Sequence, residues 1–302
     1  NAIIKGNTKN SNPKLNMDFS IVDGTFLLKK NPFQMNKIQL NGTVTNGAKN
    51  NLKSTKIDVS SFEAQPENSK ITGNFVIENL NKMYLNTNLK CDWDLSVLNN
   101  YFKDSPFLNL TGNMKTNTNY SGEFSFNSLF KKYFLKAKNH LTHTKLNNVD
   151  FNYLNSDLYY SIINSTVNIN KSKTSILNSD IIISDNKFSY EGEIQNLIEN
   201  LLNKSNMINF SGVINSPKVN LNKLKSKSKK TSESTFPEFI TFDLTTNIAE
   251  LKYKNFTAKN IFSDIKYKNN SIEVTNLSAE GLDGKIYSDF TIKEPTKNYL
   301  IL

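Results

Sequence analysis

Apolar residues recur at every second position along most of this chain, set among Thr, Ser and Asn, which is the spacing of strands with one buried face. Ile38, Leu40, Gly42 and Val44 alternate with Lys37, Gln39, Asn41 and Thr43, and Gly47 closes the strand. Ile71, Gly73, Phe75 and Ile77 repeat the pattern. Leu85, Thr87, Leu89, Cys91, Trp93 and Leu95 form the longest ladder, with Asn86, Asn88, Lys90, Asp92 and Asp94 on the other face. The alternation returns at Phe188, Tyr190 and Gly192, at Ile208, Phe210 and Gly212, and at Ile240, Phe242 and Leu244. It returns again at Ile261, Ser263, Ile265 and Tyr267, and at Ile286, Ser288, Phe290 and Ile292. Strands of a doubly wound parallel sheet would be apolar on both faces and separated by long helices, whereas these have one dry and one wet face. The pattern predicts a mainly β fold: a long curved antiparallel sheet forming an open groove or a sandwich-like trough, with a few short capping helices.

Helical spacing is confined to short stretches. Ile194, Leu197, Ile198, Leu201 and Leu202 share one stripe and predict a helix over Glu193 to Asn203, read as a cap packed on the sheet. A second is expected after Asp94, a suitable N-cap, with Leu95, Leu98 and Phe102 on one side until Pro106 stops it, and a third short turn over Asn127 to Phe134. Between Lys223 and Pro237 the apolar periodicity disappears into a Lys/Ser-rich run, which reads as a solvated flexible linker. The predicted organisation is a β region over residues 1–224, a linker over 225–237 and a second β domain over 238–302.

Composition changes this picture little. The 302 residues carry 37 basic against 27 acidic side chains, a net charge of +10, with every basic group a lysine, and asparagine fills roughly one position in six. Specific base reading leans on bidentate arginine, which is missing, and the lysines are spread along the chain, so nucleic acid is not the expected partner. The single Cys91 excludes an intrachain disulfide framework and any cysteine-based metal cluster. No apolar run approaches the roughly 18 residues of a membrane helix. The chain opens on Asn1 and stops on Tyr299-Leu300-Ile301-Leu302, and is expected to be an internal piece of a longer protein.

Candidate chemistry is sparse. His140 and His143 are the only histidines, and two ligands without a nearby Cys or a suitably placed Glu do not make a metal site. Asp92 and Asp94 flank Trp93 and project from one strand face, the raw material of a carboxylate pair, but a wet face and a helix cap account for both. Glycines fall singly in strands or turns, as in Gly281-Leu282-Asp283-Gly284, and form no phosphate-binding or cofactor loop. No catalytic residue, metal or cofactor is assigned.

Several segments, taken in order, resemble the AsmA-like family of bacterial envelope proteins, especially Asn/Lys-rich forms of Bacteroidetes type. These are Gly24-Thr25-Phe26, Lys37 to Gly47, Ile57 to Phe62, the Asp94-Leu95-Ser96-Val97-Leu98 element closing a long strand, and the strand, glycine and helix unit from Asn186 to Leu197. The run Ile208 to Leu224 resembles the family passage that precedes a variable linker, and Phe236 through Ile292 looks like the family's C-terminal domain. The resemblance implies a non-enzymatic periplasmic protein, tethered to the inner membrane by an N-terminal anchor lying outside this sequence. It further implies that the protein conducts phospholipid between inner and outer membranes, with envelope proteins as partners. On that reading Phe75, Ile77, Leu85, Leu89, Trp93, Phe210, Ile240, Phe242 and Leu244 line an apolar groove for acyl chains. The competing expectation from the residues is a structural or adhesive β-sandwich of the cell surface, in which the same side chains form a closed core. A hydrolase built on Asp92 and Asp94 is the third class.

Overall fold

The computed structural model describes residues 2–5, 13–27, 34–101, 107–124, 137–153, 158–171, 173–197, 207–224, 240–293 and 299–301. The protein is mainly β. Strands β1 to β6 run over Ala2–Lys5, Lys14–Leu27, Gln34–Thr45, Lys56–Gln65, Lys70–Glu78 and Tyr84–Asp94. Strands β7 to β9 follow at Phe107–Glu123, Ala137–Tyr153 and Tyr159–Asn170, then β10 to β13 at Lys173–Ile183, Asn186–Gln195, Ile208–Ser216 and Val219–Asn220. Strands β14 to β18 occupy Ile240–Tyr253, Phe256–Lys268, Ser271–Gly281, Gly284–Lys293 and Tyr299–Ile301. Helix is limited, among the described residues, to one α turn, α1 at Leu98–Tyr101, the single helical position Leu197, and three 3-10 turns.

Two compact units divide the chain: residues 1–103, 113–144 and 169–171 in the first, and 104–112, 145–168 and 172–302 in the second, so that β7, β8 and β9 contribute to both. In the first unit each strand from β1 to β7 pairs antiparallel with its neighbour in sequence. The second unit is antiparallel as well, except that β12 and β13 pair parallel with β14. Parallel neighbours need a crossover of a dozen or more residues, and the stretch from 221 to 239, which contains the Lys/Ser-rich run, is long enough to supply it. Residues 225–239 lie outside the described residues, and the strands on either side of them belong to the same unit.

Register shifts interrupt several ladders, and four of them sit on non-glycine residues with left-handed backbone. Asp23, Lys37, Asn260 and Asn276 have φ of 55°, 49°, 51° and 56°, each at a shift in the pairing of its strand. Of eighteen such non-glycine residues among those described, twelve are Asn or Asp, the side chains that tolerate this conformation best. Bulges increase local twist and bend the strand, so the abundant asparagine has a structural use here. The turn at Leu282 and Asp283, φ 50° and 59°, joins β16 to β17 as a two-residue hairpin with Gly281 opposite Gly284, as expected.

One predicted element is corrected. Glu193, Ile194 and Gln195 do not begin a helix but continue β11, opposite Ser211, Phe210 and Asn209 of β12. Ile194 fits a period of two as well as the helical stripe, and its strand position buries it to 7% exposure against the neighbouring strands. Leu197, within the predicted span, is helical; residues 198–203, and the whole of Asn127 to Phe134, lie outside the described residues. Asp94 does cap a turn: its carboxylate accepts from Ser96 N at 3.0 Å and Ser96 Oγ at 2.6 Å, starting the 3-10 turn Leu95–Val97 that leads into α1.

Candidate functional site: the dry faces of the two units

Strand alternation and register decide which side chains meet. In the first unit Phe75 lies opposite Thr87, Ile77 opposite Leu85, and Gly73 opposite Leu89, while Trp93 lies opposite Met114. The five groove residues predicted in this unit therefore share one face. That face extends through Ile57 and Val59 of β4 to Val44 of β3 and Met17 of β2, in register. Its reverse carries Asn74, Asn86, Asn88 and Lys90, all exposed. Phe62 meets Phe75 edge to face, with ring centroids 6.1 Å apart.

In the second unit Ile208 lies opposite Ile240, Phe210 opposite Phe242, and Gly212 opposite Leu244. The four predicted residues Phe210, Ile240, Phe242 and Leu244 again share a face, which continues through Tyr267 and Ile265 to Ile272 and Val274. The Phe242 and Tyr267 rings stack at 5.3 Å. Farther along the same strands Ile181, Phe188, Ser216, Ile248 and Ile261 form a transverse row that floors a cavity of about 960 Å³.

Burial on these faces is partial. Ile77 is buried at 7% exposure, whereas Phe75, Leu85, Leu89, Trp93, Phe210, Ile240, Phe242 and Leu244 are half-buried. A fully buried cluster forms at Ala258, Ile261 and Ala279, with Ile248, Leu251, Phe256 and Leu277 packed against it. Fully burying one such Leu or Phe side chain yields about 1.5 to 3 kcal/mol, so these partly exposed ladders leave only a minor fraction of that gain to whatever covers them.

The faces are not uniformly apolar, a feature the sequence pattern missed. Thr246 and Ser263 lie opposite one another in β14 and β15, both buried, with hydroxyls 2.7 Å apart. Thr87 donates to Asn74 O at 2.8 Å, and His140, 1% exposed, bonds Thr142 through Nε2 at 2.9 Å. Two glycines on these faces are roofed by a tyrosine two residues earlier. A Cβ on Gly122 would lie 2.8 Å from the Tyr120 hydroxyl, and one on Gly192 would lie 2.6 Å from that of Tyr190. Tyr120 donates to Glu123 O at 2.8 Å and Tyr190 to Ser211 O at 3.0 Å, and burial raises the pKa of both phenols. The signal was present in the sequence as Tyr-x-Gly-Glu at 120–123 and again at 190–193.

Candidate chemistry elsewhere is accounted for locally. Asp92 accepts from Asn113 Nδ2 at 2.6 Å and pairs with Lys115 at 3.0 Å, and these partners, Asn113 foremost, lower its pKa. Hydrogen bonds from Ser96 lower that of Asp94. Both carboxyls are held ionised, the opposite of what a general acid requires. His140 points into the dry face and His143 is exposed on the other side of β8. Among the described residues no cluster of His, Cys, Asp and Glu has the makings of a metal site, and no helix is long and apolar enough to cross a membrane.

No family model, curated protein or solved structure matches the chain. The AsmA-like resemblance rests on the sequence segments alone.

Proposed function

We propose that this chain is a non-enzymatic lipid-binding module of the bacterial envelope, taking phospholipid acyl chains onto its dry faces and passing them between inner and outer membranes. The observation that supports this is the half-burial of Phe75, Leu85, Leu89 and Trp93 in one unit and of Phe210, Ile240, Phe242 and Leu244 in the other. A closed sandwich of the adhesive kind buries such ladders completely between its sheets. A face that stays partly open offers a largely apolar track in which each buried methylene contributes about 0.8 kcal/mol, without any residue selecting a headgroup. On this reading the protein works in the periplasm, held to the inner membrane by a segment outside this sequence, alongside envelope partner proteins, and supports outer-membrane biogenesis.

Native mass spectrometry of the protein purified from membranes tests the reading, with co-purifying phospholipid as the expected result. Leu89→Glu places a charge in the middle of the first unit's ladder and is expected to abolish both bound lipid and the outer-membrane barrier. Lipid-free wild-type protein, together with a Leu89→Glu strain whose barrier is intact, would sink the proposal.

A further inference from the structure

One end of the second unit's sheet gathers three hairpin turns. Tyr253 pairs with Phe256 across the turn of β14 and β15, Gly281 pairs with Gly284 across that of β16 and β17, and Phe256 contacts the Gly281 position, so these two tips are neighbours. The 3-10 turn Leu221–Lys223 ties in beside them, its Asn222 Oδ1 accepting from Lys254 N at 3.1 Å. Lys223 in turn pairs with Asp185 at 2.6 Å in the turn between β10 and β11.

The β16–β17 tip carries an anomaly. Leu282 is 85% exposed and has φ 50°, a left-handed backbone that strains a bulky residue and that Asn or Gly would adopt freely. This chain places Asn or Asp at most of its other left-handed positions, so an apolar side chain held in that conformation in water is out of keeping with the turn's own requirements. Tyr287, 72% exposed, lies back along β17 opposite Ser278, and Tyr253, 37% exposed, closes the neighbouring β14–β15 tip with Lys254 over its ring at 5.4 Å. Lysines 218, 223, 252, 254, 259 and 285 lie at this end against the carboxylates of Asp185, Glu250, Glu280 and Asp283, leaving it net positive.

We infer that this end docks onto an anionic membrane surface, with Leu282 entering the acyl boundary, the two tyrosines at headgroup level and the lysines on lipid phosphates. Tyrosine and lysine favour that depth, one for its amphipathic ring and the other for its long stem below a charged tip. The inference goes beyond uptake of acyl chains by the dry faces, and the two are read out separately.

Flotation of the purified chain with vesicles tests it, comparing phosphatidylcholine alone with phosphatidylcholine containing phosphatidylglycerol. Wild type is expected to float with the anionic vesicles. Leu282→Asn relieves the turn, so it should raise the urea midpoint while weakening vesicle binding about tenfold, the scale of one partly buried leucine. Lys254→Glu with Lys285→Glu should weaken binding by about fivefold or more per lysine and spare the fold. Lipid retained in the protein by native mass spectrometry should be the same in Leu282→Asn as in wild type. A wild type that does not float, or a Leu282→Asn variant that floats equally well, overturns the inference. Loss of retained lipid in wild type with flotation intact overturns only the groove reading.

Discussion

His140 is the residue whose setting most directly couples the fold to solution conditions. Its ring is 1% exposed, beside the Tyr120 ring at 6.4 Å, and burial lowers its pKa from the usual 6.5 because the charged imidazolium is poorly solvated there. The unfolded chain takes up a proton near pH 6.5 while the folded chain resists until lower pH, so acid favours unfolding. The contribution is fully present above the unfolded pKa and is lost as the pH falls through the native one. Urea unfolding between about pH 5 and pH 7 should therefore show wild type losing stability on the acid side, with a flatter profile in His140→Gln. Parallel profiles for the two proteins would remove His140 as the cause. The sequence marked His140 only as one of two histidines too few for a metal site, and its burial was not legible, because polar residues on a dry face leave no mark in an apolar count.

At the scale of elements, alternation was enough to place strands and to sort all nine predicted groove residues onto two shared faces, because a one-residue slip would have exposed every one of them. Three things escaped it. Ile194 satisfied two periods at once, and pairing with Phe210 decided between them. The parallel register of β12 with β14 has no signature of its own beyond a long connection. Several bulges fall on single left-handed residues such as Asn260 and Asn276, indistinguishable in sequence from the many other asparagines. The buried hydroxyl pair of Thr246 and Ser263 offers a test of how β14 and β15 are held. Removing one partner leaves the other's hydroxyl unsatisfied at a cost of about 1 to 3 kcal/mol, whereas replacing both is close to neutral. Thr246→Val should lower the urea unfolding midpoint, and Thr246→Val with Ser263→Ala should recover most of the loss. A double variant as unstable as the sum of both single variants would mean that the hydroxyls act independently.

For the whole molecule the question is which of its two surface chemistries holds lipid. A net charge of +10, all of it lysine over the acidic balance, attracts any anionic surface without a site, whereas the dry faces hold acyl chains by removing them from water. Salt separates the two. Screening acts within about 10 Å at 0.1 M and about 3 Å at 1 M, so surface attraction falls steeply as salt rises, while burial of methylenes is not screened at all. Raising salt from about 0.05 M to 1 M should strip the protein from anionic vesicles, most completely in Leu282→Asn, which lacks the apolar wedge. Phospholipid that co-purifies with the protein should survive the same wash, and a detergent should remove it. If salt alone strips the co-purified lipid, then lysines and not Phe75, Leu89, Phe210 or Phe242 were its ligands, and the alternating pattern along the chain would describe a core left partly open rather than a track for lipid.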